Sequence, residues 1–159
     1  MFNLYKVNNF TLTVENCLFT GGESKYGIIN AARAYSTTIA ISNSMFTSSG
    51  YSAHGTSAVY VLNSDKAKPT KLTVKSTLFE NLLGNPIYLD STGATASISG
   101  CTFKNNVGEW SGAVYAYANA GASLSGNTFK NNKCTDMGTP RNCKANGVCK
   151  RVNGSSKCQ

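Results

Sequence analysis

Acidic side chains are scarce in this chain. Only seven of its 159 residues are Asp or Glu, against fifteen Lys and Arg, which leaves a net charge of +8. Histidine occurs once, as His54 in a Ser/Gly-rich stretch, which gives no context for a Ser-His-Asp nucleophile and places it as a surface residue. The seven carboxylates fall at unrelated offsets from the repeat described below, so no two line up as an acid and base pair. Glu23, Lys25 and Arg33 form a small polar group best read as a solvated loop. With no convergent set of reactive groups, no catalytic residue, cofactor or metal ligand is expected. No run of eighteen apolar residues is present, so no membrane-spanning helix is expected. The start, Met1 to Lys6, lacks the apolar core of a secretory signal, and repeat sequence begins almost at once, which fits a mature form or a piece of a longer chain. Proline is nearly absent, with three in the chain.

What is plentiful is Gly, Ser, Thr and Asn between short runs of Val, Ile, Leu, Tyr and Phe, a composition of strands and turns. These runs repeat. Five segments share one pattern in which two alternating apolar residues are followed by a small polar pair and, two positions on, Phe. They are Leu12–Phe19, Ile39–Phe46, Leu72–Phe79, Ala96–Phe103 and Ala122–Phe129. Their Phe residues are 27, 33, 24 and 26 positions apart, so the length changes lie between motifs, as loops do in a solenoid. A second element recurs between them: Gly27-Ile28-Ile29-Asn30, Ser57-Ala58-Val59-Tyr60, Asn85-Pro86-Ile87-Tyr88 and Gly112-Ala113-Val114-Tyr115.

A single such strand buries too little apolar area to stand alone. Equivalent strands stacked about 4.8 Å apart share one interior, whereas an antiparallel sandwich would need hairpin turns of the Asn-Gly type between the motifs. Asn146-Gly147 is the Asn-Gly pair closest to the repeats, and it lies beyond them. The expected fold is therefore all-β: a single-stranded parallel β-helix of about five coils over residues 1–133, with a small cysteine-rich module over 134–159. Phe19, Phe46, Phe79, Phe103 and Phe129 should form one column inside it, each ring contributing roughly 2–3 kcal/mol on burial. Asn at the corners tolerates left-handed backbone and can bond to its stacked neighbours.

These residues resemble the right-handed parallel β-helix repeats of pectate-lyase-like proteins and polymorphic outer-membrane proteins. Phe103-Lys104-Asn105-Asn106 and Phe129-Lys130-Asn131-Asn132 match the Phe-x-x-Asn element of the latter, and Ser111-Gly112-Ala113-Val114 approaches its Gly-Gly-Ala-Ile element. The other coils depart further. The resemblance covers roughly residues 10–133 and implies the right-handed fold, in a group that includes lyases, hydrolases, adhesins and stalks.

The six cysteines divide into two sets. Cys17 and Cys101 hold the motif position also taken by Ser44, Thr77 and Asn127, three coils and about 14 Å apart, too far for a disulfide, and are expected as small buried residues. Cys134, Cys143, Cys149 and Cys158 cluster after the last coil and are expected to form disulfides. A zinc site is the other arrangement, but there is no Cys-x-x-Cys spacing and His54 is distant. The stretch around Cys143 and Cys149 resembles the first part of an EGF-like module. That resemblance implies bridges Cys134–Cys149 and Cys143–Cys158. An oxidising, extracellular or cell-surface setting follows, and the acceptor triplets at Asn9 and Asn153 agree with it as glycosylation sites.

Outward positions of the first strand carry mostly Thr and Ser, from Thr11 and Thr13 to Ser123 and Ser125, interrupted by Lys71 and Lys75. Tyr60, Tyr88 and Tyr115 follow the apolar Val59, Ile87 and Val114 and should project outward as a stacked surface row. Trp110 is read as packing a turn. The reading as a whole is a non-catalytic extracellular structural or adhesive protein, a subunit of a filament or matrix. Its alternatives are a polysaccharide lyase or hydrolase fragment and a glycan-binding module. Expected partners are proteins, through self-assembly or a matrix, and acidic glycans attracted by the basic surface. No nucleic-acid partner is expected, because no aromatic stripe interleaves the basic residues.

Overall fold

Alternation within each motif decides which side chains go inward. Along Leu72-Thr73-Val74-Lys75 the apolar pair is buried and the polar pair faces out, as a strand with one buried face requires. In the computed structural model, residues 1–21, 27–47 and 57–134 are described in full, together with the backbone of strands at 143–144, 148–152 and 155–158.

The strands follow one another coil by coil. A short β1 (Phe2–Asn3) precedes the first coil of β2 (Thr11–Glu15), β3 (Leu18–Thr20) and β4 (Ile29–Ala32). The second coil holds β5 (Thr37–Ser42), β6 (Met45–Thr47) and β7 (Ser57–Leu62), and the third β8 (Thr70–Lys75), β9 (Leu78–Glu80) and β10 (Asn85–Asp90). The fourth holds β11 (Ala94–Ser99), β12 (Thr102–Lys104), β13 (Val107–Gly108) and β14 (Val114–Tyr117). The last comprises β15 (Gly121–Ser125), β16 (Thr128–Lys130) and β17 (Lys133–Cys134), followed by β18 (Cys143–Lys144), β19 (Val148–Val152) and β20 (Ser155–Cys158).

Three sheets wrap the interior, parallel throughout except for β20 at the end of the third. Sheet I runs β2-β5-β8-β11-β15, sheet II runs β3-β6-β9-β12-β16, and sheet III runs β1-β4-β7-β10-β14-β19-β20. Five rungs in sheets I and II make about four turns of a parallel solenoid, which is the fold expected from the repeat. Registers are in step: Phe19 lies beside Phe46, Phe46 beside Phe79, Phe79 beside Phe103 and Phe103 beside Phe129. Among the described strands only β17–β18 and β19–β20 pair antiparallel, both in the cysteine-rich region. Pairing crosses residue 134, since β17 lies beside β13 and β19 adds to sheet III beside β14.

The Phe column is the spine of the core. Adjacent ring centroids are 4.6, 5.1, 4.9 and 5.4 Å apart, with planes within 16° of parallel. Phe46, Phe79 and Phe103 are wholly buried, while Phe19 and Phe129 are half-buried on the outermost rungs. Facing them are the inward ladders Ile39, Leu72 and Ala96 of sheet I and Ile29, Val59, Ile87 and Val114 of sheet III.

Two corners are built from left-handed backbone. After the sheet I strands, Asn16, Asn43, Ser76, Gly100 and Gly126 all have φ between 46° and 61°. After the sheet II strands, Gly21, Asn81, Asn105 and Asn131 have φ between 54° and 65°. Asn and Gly adopt this region most readily, which is why they recur at these corners. One residue further on, the chain turns inward and a second Asn column begins. Asn106 Oδ1 accepts from the Leu82 amide, and its Nδ2 donates to the Phe79 carbonyl. Asn132 Oδ1 accepts from the Asn106 amide, and its Nδ2 donates to the Phe103 carbonyl. Both are buried, so the corner amides of Leu82 and Asn106 are each satisfied by the coil stacked on theirs.

Candidate contact surfaces

The outer face of sheet III is aromatic. Tyr60, Tyr88 and Tyr115 occupy one register position on β7, β10 and β14. Their centroids are 5.3 Å and 5.1 Å apart, with planes tilted by 46° and 44°. The row expected from the sequence therefore exists, with one correction. Tyr115 does not project into solvent; it is 1 % exposed. Trp110 stacks on it at 5.7 Å and Tyr117 at 6.3 Å. The accessible part of the row is carried by the half-buried Tyr60, Tyr88 and Trp110 and by the exposed Tyr117.

Trp110 reaches this position through the turn that carries it. Asn85, at the start of β10, accepts the backbone amides of Trp110 and Ser111 on one side-chain oxygen, which pins the turn of the next coil against the sheet. A β-carbon at Gly108 would meet the Ser111 carbonyl oxygen at 1.8 Å, so only glycine fits there.

One carboxylate lies in the row. Asp90 follows Tyr88 by two residues on β10, hence on the same face, and its register neighbours are Leu62 and Tyr117. The Ser91 hydroxyl donates to Asp90 Oδ1 at 2.8 Å. Burial, and secondarily the Asp90 charge, push the Tyr60 hydroxyl from 10.0 to about 12. The same causes raise Tyr88 further. The sequence reading missed Asp90 as part of this face, although its two-residue offset from Tyr88 was the available signal.

Sheet I presents a different face. Thr11, Thr13, Thr38, Thr95, Ser97, Ser123 and Ser125 are exposed in step, as the sequence indicated, while Ala40, Ser42, Thr73 and Ser99 are half-buried. Lys71 and Lys75, on the central strand β8, interrupt it, and Lys66 and Lys68 in the segment before that strand are exposed as well. On sheet II the Lys104 ammonium pairs with Glu80 of the adjacent coil.

The two repeat cysteines are free thiols. Cys101 is buried as expected, and burial raises its pKa. Cys17 departs from that expectation: it is exposed, because it lies on the outermost rung with no coil over it in the described structure. Its amide donates to Ser44 Oγ of the next coil. Cys134 is disulfide-bonded. In the backbone register Cys134 lies opposite Cys143 and Cys149 opposite Cys158. The side chains of those three partners, and residues Glu23, Lys25, His54 and Asn153, lie outside the described residues. Asn9 is exposed in left-handed backbone, and Arg33 is exposed. Among the described residues no group of three His, Cys, Asp or Glu side chains is placed to hold a metal ion, and no helix is long and apolar enough to cross a membrane.

A parallel coil of this kind, with Phe and Asn columns inside and regular faces outside, defines a β-solenoid. The family model described as "Right handed beta helix region" matches residues 34–151, and the chain belongs to that family. Neither a curated protein nor a solved structure matches the chain. Members of one fold perform many tasks, so the function has to be argued from the faces.

Proposed function

We propose that this is a non-catalytic structural or adhesive protein of an extracellular or cell-surface setting, a stiff rod segment that works through its outer faces. The observation that carries this reading is the in-register stacking of the coils, which lines up equivalent positions of successive rungs on the same outer face. Such repetition suits extended contact with a polymer or a neighbouring subunit. The described carboxylates agree with it. Glu80 is tied to Lys104 of the adjacent coil and Asp90 accepts from Ser91, contacts that suit a structural role. The exposed lysines on and just before the central strand of sheet I, at 66, 68, 71 and 75, favour acidic glycans on that face. The disulfide at Cys134 and the exposed acceptor at Asn9 favour an oxidising, glycosylating compartment.

We propose the C-terminal part as the beginning of an EGF-like module, supported by the Cys134 disulfide; the resemblance implies the bridges Cys134–Cys149 and Cys143–Cys158, whereas the backbone register sets Cys134 opposite Cys143 and Cys149 opposite Cys158. Non-reducing peptide mapping checks that pairing, and a Cys134–Cys143 peptide would overturn it.

The competing reading is a polysaccharide lyase or hydrolase. Incubation with polygalacturonate, with and without calcium, should release neither unsaturated products nor reducing ends. Sustained release would overturn the non-catalytic reading.

A further inference from the structure

The two ends of the solenoid are finished differently. Beyond the last coil, β19 lies beside β14 and β20 lies antiparallel beside β19. A copy stacked head to tail, with its β2 beside β15, would need its β1 beside β14, where β19 already lies. Open-ended stacking in one direction is therefore blocked. At the other end β2 and β3 are edge strands, with no further strand beside them among the described residues. The interior is open there. Leu12 and Phe19 are half-buried, whereas Ile39 and Phe46, one rung deeper, are wholly buried. Phe2, Tyr5, Phe10 and Leu18, on or above this first rung, are exposed. The free edge of β2 is regular. The Asn16 amide donates to the Ser42 carbonyl and the Phe10 carbonyl accepts from the Thr38 amide, so the even-numbered residues of this strand bond to β5. By alternation Thr11, Thr13 and Glu15 direct their N–H and C=O groups to the open edge. Such a row is a template for another strand.

We propose that this N-terminal end is a self-association surface, where two copies of the chain pair about a two-fold axis through β2. The free edges of the two β2 strands then run antiparallel with Thr13 opposite Thr13, each donating its N–H to the other's carbonyl. Leu12 of one copy falls opposite Val14 of the other, both inward, so the apolar interior continues from one copy into the next. Thr11 falls opposite Glu15. The pitch of the coil fits the same axis. Three strands share one rung, so each begins about a third of a rung beyond the one before, and β1 stands above β2 by as much as β3 stands below it. Rotation about β2 therefore brings β1 of each copy over β3 of the other at the same spacing, which covers Phe2 and Phe19. The stacking that joins every rung of the molecule is continued by a second copy, and the two-fold axis closes the assembly at two. The proposal names one partner for the structural reading but stands without it, since turnover of polygalacturonate would remove that reading and leave this end unchanged.

The test is sedimentation velocity of the full chain over about a hundredfold range of concentration. A dimer should grow with concentration, and nothing larger should form. Thr13→Pro removes an N–H that faces the open edge, a change that edge strands tolerate, and should weaken the dimer by about tenfold or more with the circular dichroism spectrum kept. Cysteines test the register. In a Cys17→Ser background, Thr13→Cys should give a disulfide-linked dimer, since paired residues with Cα atoms about 5.5 Å apart are within bonding reach. Ser97→Cys, equally exposed but on the outer face of β11, should stay unlinked. Should Thr13→Pro unfold, the two cysteine variants decide. Three outcomes would overturn the proposal. One is a chain monomeric throughout, which gives the end to another occupant. Another is growth past the dimer. The third is a dimer that ignores Thr13→Pro and links no faster through Thr13→Cys than through Ser97→Cys.

Discussion

Two aromatic stacks run along this molecule, one inside over five rungs and one on sheet III over three, and they are built differently. The inner phenylalanines are parallel within 16° and three of the five are wholly buried. The outer tyrosines are tilted by about 45°, are unevenly exposed, and share their surface with a carboxylate and a tryptophan. Both obey the same rule, that a residue repeated at one register position meets its copies at the strand spacing. The difference lies in what surrounds them. Inside, close packing on every side leaves one orientation for each ring. Outside, one side is open, the rings tilt, and other chemistry joins the row. The inner stack therefore holds the rod together, and the outer one is available for contact.

The sharpest way to break this comparison is to delete one ring from the inner stack. Phe79→Ala should cost about 3–5 kcal/mol, the usual range for a fully buried Phe, measured by urea denaturation. Phe129→Ala, half-buried on an outermost rung, should cost roughly half as much, because less ring surface leaves water there. Equal costs would mean that rung position does not matter, against the nearest-neighbour stability of stacked repeats. A smaller loss is expected at the internal corner. Asn106→Ala removes the acceptor of the Leu82 amide and the donor to the Phe79 carbonyl, leaving both buried, and should cost about 1–3 kcal/mol by the same measurement.

How far each stack could be read from the sequence follows from how local its determinants are. The Phe column was legible because its motif carries its own alternation and its own corner, so register and face are fixed within eight residues. The left-handed corners were legible for the same reason, since Asn and Gly stand at them. The inward turn of Asn106 and Asn132 was visible only as half of a Phe-x-x-Asn pattern, because nothing in the pattern says which Asn faces inward. Tyr115 was misread as exposed. Its cover is Trp110, five residues earlier on a turn held by Asn85 of the preceding coil, a contact between coils that no single motif encodes. The short β13–β17 pair went unread because two residues give no periodicity.

The outer row has its own handle in alkali. Tyr60 titrates near 12 when folded against 10.0 in its unperturbed form, so the unfolded chain gives up this proton first as pH rises. Between those values the folded state binds more protons, and stability falls with rising pH. The contribution is whole below about pH 10 and is lost by about pH 12, with Tyr88 moving in the same direction. Denaturant midpoints followed from pH 8 to 12 should decline over that window, and Tyr60→Phe should decline less. A Tyr60→Phe profile parallel to that of the unsubstituted protein would show that the row's surroundings do not hold this hydroxyl neutral.

The smallest effect is expected where the outside is polar. Lys104 is 39 % exposed and Glu80 is 17 % exposed, on neighbouring rungs of sheet II. Surface pairs of this kind contribute about 0–1 kcal/mol and are screened by salt. Lys104→Gln should therefore lower stability by less than about 1 kcal/mol, and the difference should shrink in 1 M salt, where the screening length is about 3 Å. A loss comparable to that of Asn106→Ala would place this pair with the internal columns. The division between a packed interior that carries the fold and outer faces free to vary would then fail on sheet II.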